Sequence, residues 1–124
     1  MPEPLQRLVP LAHVASVPRS IAFYQKLGFS VIHSMSSAEF GAEPHWAFLK
    51  SGGAELMIAL ATAPVDPEQQ AILFYLYVND IAAFHMELKN AGLLISEVTH
   101  PDHMPAGEFR TADPDGYCLL IGQL

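Results

Sequence analysis

The chain has 124 residues, 51% of them hydrophobic and only 15% charged, enough to build one domain around a real core and too apolar for a disordered segment. Six Lys and Arg stand against thirteen Asp and Glu, and the resulting formal charge of −7 repels phosphate backbones, which argues against a nucleic-acid partner. So few charges over so much apolar sequence also points to surface hidden by a second copy, a homodimer.

Residues 8–14, Leu-Val-Pro-Leu-Ala-His-Val, read as a first strand, with Pro10 marking an edge or a distorted start. Ser16 is placed to cap a helix whose first turn holds Pro18. Ile21, Phe23, Tyr24 and Leu27 form its apolar stripe, and Gly28 ends it. Strands are predicted at 29–35, 45–49 and 55–60, the last two flanking the turn Lys50-Ser51-Gly52-Gly53. A linker with Pro64 and Pro67 covers 61–70.

The second half repeats the plan. Residues 72–78 read as a strand, Asn79-Asp80 as a cap, and Ile81, Phe84, Leu88 and Ala91 as a helical stripe stopping at Gly92. A strand is predicted at 93–98, then a hairpin of 108–112 and 117–122 about the turn Asp113-Pro114-Asp115-Gly116. Phe23 matches Phe84 and Leu27 matches Leu88 at one spacing of 61 residues, whereas Gly28 matches Gly92 only after three extra residues. The expected fold is α+β: two β-α-β-β-β modules, about 5–62 and 70–124, pairing curved mixed sheets around a cleft within a single domain at 1–124.

Cys118 is the only cysteine, so no disulfide forms within the chain. The opening Met1-Pro2-Glu3-Pro4 lacks the pattern of a signal peptide, and no apolar run approaches the ~20 residues that span a bilayer. The expectation is a cytoplasmic protein with no membrane partner.

Two stretches carry a family resemblance. Ser20-Ile21-Ala22-Phe23-Tyr24-Gln25-Lys26-Leu27-Gly28-Phe29 resembles the first-helix signature of the vicinal-oxygen-chelate superfamily, which includes glyoxalases, bleomycin-resistance proteins and dioxygenases. Gly107-Glu108-Phe109-Arg110-Thr111-Ala112-Asp113-Pro114-Asp115-Gly116-Tyr117 resembles its closing hairpin, and the ending is most similar to bleomycin-resistance-type members. The resemblance implies a paired-module homodimer. It leaves the activity open, because the fold hosts metal enzymes and antibiotic-sequestering proteins alike.

Metal-dependent members carry His, Glu or Gln on four cleft strands. Counting from the motifs, those positions fall here on Val9, Met57 (or Ala59), Leu73 and Leu120, none of which ligates a hard divalent ion. The resemblance therefore implies no metal and no cofactor, and metal-dependent glyoxalase or dioxygenase activity is not expected. No catalytic residue is assigned.

The candidate ligand-binding residues are His13, Trp46, Glu55, Met57, Tyr75, Tyr77 and Cys118. His13 shares strand parity with Val9, Glu55 with Met57, Tyr75 and Tyr77 with Leu73, and Cys118 with Leu120. Aromatic rings there would stack on a flat or cationic group. The plainer alternative for each is a rim or core residue; Phe23, Phe84 and Phe109 are read as core, and Cys118 as an inert thiol. His100-Pro101-Asp102-His103 reads as an exposed loop that could fold over the cleft. The expected function is metal-free binding of a small molecule, with a cationic or aromatic antibiotic-like ligand as the kind expected. The alternative is an enzyme (lyase, isomerase or dioxygenase-like) working through His13, Glu55 or the His100–His103 loop.

Overall fold

The structure is a computed structural model that describes residues 2–124. The first half forms β1 (Leu11–Val14), α1 (Val17–Lys26), β2 (Ser30–Ser36), β3 (Pro44–Ser51) and β4 (Ala54–Leu60). The second forms β5 (Leu73–Val78), α2 (Ile81–Asn90), β6 (Glu108–Ala112) and β7 (Cys118–Gln123). One sheet runs β1-β4-β3-β2 and the other β5-β7-β6; in each, the strand before the helix pairs in parallel with the last strand.

The helices start and stop where the sequence places them. Ser16 Oγ accepts from Arg19 N–H at 3.3 Å, and Asp80 Oδ1 accepts from Ala83 N–H at 3.0 Å. Gly28 and Gly92, at φ 98° and 85°, turn the chain out of each helix through a conformation that a Cβ would oppose.

Both helices have ten residues. Val17 therefore corresponds to Ile81, Tyr24 to Leu88 and Gly28 to Gly92, all at a spacing of 64, and the match of Phe23 with Phe84 at 61 is corrected. The residues that share a role are the buried Tyr24 and Leu88, whereas Phe23 and Phe84 sit only partly buried at the margin of the core.

The strand expected at 93–98 is also corrected. Leu93, Ile95 and Val98 pack against the core as a strand would, but backbone pairing with β6 is reduced to the bridge between Thr99 and Glu108 and a bond from the Ser96 N–H to the Arg110 carbonyl at 2.9 Å. Side chains take over the ladder. Arg110 N–H donates to Ser96 Oγ at 2.9 Å, and the Thr111 hydroxyl donates to the Leu94 carbonyl at 2.8 Å. Serine and threonine compete with backbone pairing in this way.

One core joins the halves. Ala12, Val14, Ala47, Leu49, Leu56 and Ile58 of the first sheet are buried with Phe109, Leu119 and Ile121 of the second, on the sides that face the helices. Polar bonds close the seam. The Tyr24 hydroxyl donates to Asp113 Oδ2 at 2.7 Å, Ala15 N–H to Asp115 Oδ1 at 2.8 Å, and the Tyr117 hydroxyl to the His13 carbonyl at 3.1 Å. None of the described helices is long and apolar enough to cross a membrane.

Candidate functional site

Strand alternation sends the other half of each sheet's side chains away from the helices. On the first sheet these open-face residues stand in two rows across the strands, Leu11–Met57–Phe48–His33 and His13–Ala59–Trp46–Met35. On the second sheet the rows are Leu73–Cys118–Ala112, Tyr75–Leu120–Arg110 and Tyr77–Gly122–Glu108.

All seven residues singled out from the sequence lie in or beside these rows: His13, Trp46, Glu55 and Met57 on the first sheet, Tyr75, Tyr77 and Cys118 on the second. They do not converge on one cavity. Glu55, Leu73 and Tyr75 share a cavity of about 260 Å³ at the seam with Pro10 and Phe74. Trp46 borders a separate recess with Met35 and Leu60, and His13 another with Tyr117.

Glu55 already has a cation. Arg7 reaches it with Nη2 to Oε2 at 2.6 Å and Nε to Oε1 at 3.1 Å, and the same guanidinium lies 5.6 Å from the centre of the Phe48 ring. The two-point contact fixes the fork against the carboxylate, so Glu55 meets its own chain before any ligand. Cys118 accepts from Arg110 Nη2 at 3.1 Å.

Tyr75 and Tyr77 form an open aromatic surface on the second sheet. Their rings stack at 6.1 Å with planes 18° apart, and the residues remain 42% and 53% exposed. Partial burial, and then the neighbouring Glu108 carboxylate, push the Tyr75 phenol above its ordinary value.

Sequence reasoning missed Glu108. It heads β6 opposite Gly122, is only 9% exposed, and places Oε1 3.3 Å from His103 Nε2. The Tyr75 hydroxyl lies 3.4 Å from the same nitrogen. The loop read as exposed thus reaches over the open face: His103 itself stays largely exposed, while its ring meets Tyr75 and Glu108. The available signal was Gly122, since a glycine inside a strand marks close approach by another group.

The donor set does not fit the metal that the fold commonly carries. Met57, Leu73 and Leu120 stand on the open faces, and Val9 lies two residues ahead of Leu11. Three alkyl chains and one soft thioether cannot replace the hydration shell of a hard divalent ion. Among the described residues no group of three or more His, Cys, Asp or Glu is arranged to hold a metal ion.

Two halves of one plan, with helices behind and two open sheet faces in front, define a paired-module α+β protein. The chain belongs to the Glyoxalase/Bleomycin resistance protein/Dioxygenase superfamily, whose profile matches residues 9–121. It is similar in fold to a bleomycin-binding protein solved with bleomycin (TM-score 0.78, 20% identity, covering 97% of this chain and 99% of that one). A second similar structure is the bleomycin-binding protein of Streptomyces verticillus with copper(II)-bleomycin (TM-score 0.74, 19% identity, 98% of each chain). A third is TnmS3, an antibiotic binding protein from a Streptomyces species (TM-score 0.70, 16% identity, 96% of each chain). At these identities the likeness is one of fold. Among curated proteins there is no match.

Proposed function

We propose that this chain is a metal-free small-molecule-binding protein that holds a flat, antibiotic-like ligand on its open sheet faces and acts as a homodimer. The observation that carries this reading is the exchange of hard metal donors for Met57, Leu73 and Leu120 beside an exposed Tyr75–Tyr77 stack. A flat ligand gains from such a surface through burial of apolar area and ring stacking, and needs no ion to orient it. That several similar folds bind antibiotics supports the antibiotic as the kind of ligand to try first.

Calorimetric titration with bleomycin, alongside tryptophan fluorescence, tests the antibiotic reading. Saturable binding in the micromolar range is expected, and no signal up to high micromolar ligand overturns it. Elemental analysis of protein purified without an affinity tag tests the metal-free part. A stoichiometric transition metal would replace this reading with the enzymatic one, in which His13 or the His100–His103 loop supplies acid and base.

A further inference from the structure

Each sheet brings a strand edge without a neighbouring strand to the seam. β1 begins at Leu11, opposite Met57, so Ala54–Leu56 of β4 has no strand beside it, and β5 is the outer strand of its own sheet. Backbone polar groups alternate in direction along a strand. Met57 N–H bonds the Pro10 carbonyl on the β1 side, which puts the N–H and carbonyl of Glu55 on that same edge. The Val78 carbonyl accepts from Leu124 N–H on the β7 side, which puts the N–H and carbonyl of Tyr75 on the outer edge of β5.

The cavity of about 260 Å³ is bordered by both edges. Leu73 and Tyr75, 49% and 42% exposed, stand at its mouth, whereas Tyr24, Leu56 and Leu119, none more than 5% exposed, form its floor. Leu56, Phe74, Leu76 and Leu119 all pack on the core side of their sheets. The cavity therefore enters between the sheets rather than lying on an open face.

Three of its lining side chains are polar, and each is engaged elsewhere. Arg7 closes its fork on Glu55, the Tyr24 hydroxyl donates to Asp113, and the Tyr75 hydroxyl is drawn to His103 and Glu108. A charged guest would give up its hydration without meeting a free counter-charge. An uncharged guest meets the rings of Tyr24, Phe29, Phe74 and Tyr75, aliphatic walls, and two strand edges. A hydroxyl both donates and accepts, so it matches a backbone N–H and carbonyl alike. An apolar cavity of about 150 Å³ holds one benzene ring. At about 260 Å³ this one has room for two fused rings.

We propose that the seam cavity is a binding site for a neutral two-ring aromatic molecule carrying a hydroxyl, and that Arg7, by neutralising Glu55, sets the preference for an uncharged guest. The rings fill the space over Leu56 and Leu119, and the hydroxyl meets the backbone edges of Glu55 and Tyr75. This site is separate from the open faces and does not depend on the flat-ligand reading above.

Calorimetric titrations with 2-naphthol, 2-naphthoate and 2-naphthylmethylammonium test it, together with nuclear Overhauser contacts between bound 2-naphthol and the protein's methyl groups. 2-Naphthol should saturate below millimolar concentration and bind at least about ten-fold tighter than either ion. Its contacts should include the methyls of Leu56 and Leu119, which face away from the open sheet faces. Arg7→Ala, a change at an exposed residue, frees the Glu55 carboxylate and should raise the ammonium relative to 2-naphthol by about ten-fold, the worth of one charge-assisted hydrogen bond. Ala54→Leu, which adds three carbons to the wall, should weaken 2-naphthol by about ten-fold or more. If that variant folds poorly, the methyl contacts and Arg7→Ala decide the matter. No saturation, an ion bound as tightly as 2-naphthol, or a preference unmoved by Arg7→Ala overturns the site, as does full affinity in folded Ala54→Leu. Contacts to the Met35 or Met57 methyls in place of Leu119 also overturn it, but they place the guest on an open face and leave the flat-ligand reading standing.

Discussion

Asp113 shows what burial does to a single group. Its carboxyl is pushed above the ordinary 3.8, chiefly by burial, while the hydroxyl of Tyr24 and the backbone N–H groups of Tyr117 and Asp115 pull it partway back. The folded chain then holds this proton more tightly than the unfolded chain does. The stability it contributes is fully present below the unfolded value and is lost as pH rises through the raised folded one. Asn cannot titrate, so the unaltered protein should gain stability relative to Asp113→Asn as pH falls from about 7 to about 4. Urea unfolding of both proteins across that range measures the difference, and a pH-independent gap would mean that the hydrogen bonds cancel the burial. Strand parity placed Met57, Tyr75, Tyr77 and Cys118 on the open faces because alternation is a local rule. Glu108 escaped that reasoning because its burial comes from His103 and its surroundings, and the path of an irregular loop has no period to read.

At the scale of elements, Gly92 and Gly116 form a controlled pair. Both adopt φ +85°, so a Cβ strains the backbone alike at each. At Gly92 nothing lies within 4 Å of the added atom, but at Gly116 it would stand 2.6 Å from Pro67 Cα and 2.7 Å from the Pro67 carbonyl oxygen. Here the 61–70 linker crosses the β6–β7 turn, and Gln70 Nε2 pins it further by donating to the Asp115 carbonyl at 3.1 Å. Gly92→Ala should cost about 1 kcal/mol and Gly116→Ala at least about 2 kcal/mol more, read as a larger fall in the urea midpoint. Equal losses would mean that the linker moves freely off the turn. Caps, glycine stops and all seven of the described strands were legible in local sequence, with ends shifted by up to three residues. The first, Leu11–Val14, is shorter than its apolar run because pairing begins only where the Pro10 carbonyl accepts from Met57 N–H. The strand expected at 93–98 failed because Ser96 and Thr111 offer competing hydrogen bonds that hydrophobic alternation does not register.

Over the whole molecule, the open faces leave large apolar residues in water: Leu11, Met35 and Leu73 are all about half exposed. The proposed second copy would cover part of this surface and so account for the low charged fraction, and its interface would need roughly 1,200–2,000 Å² to be stable. Sedimentation velocity at micromolar concentration should therefore give a species of about twice the 13.5 kDa chain mass. A monomer at every concentration would remove the dimer from the proposal. The two-part plan was legible because each half carries its own cap, apolar stripe and terminal glycine. Its true spacing was not, since matching phenylalanines by name hid the correspondence of Tyr24 with Leu88.

Around Asp113 and Asp115 the seam gives the two halves opposite hydrogen-bonding roles, and among the described residues only the Tyr117 hydroxyl, donating to the His13 carbonyl, runs the other way. The first half presents donors, the N–H of Ala15 and the hydroxyls of Ser20 and Tyr24, and the second presents acceptors, the carboxylates of Asp115 and Asp113. Two copies of the first half would meet donor against donor, and two of the second would bring four aspartates together. Alike in plan, the halves are therefore not interchangeable: each completes a polarity that the other lacks, and the smallest unit able to satisfy every bond at this junction contains one of each.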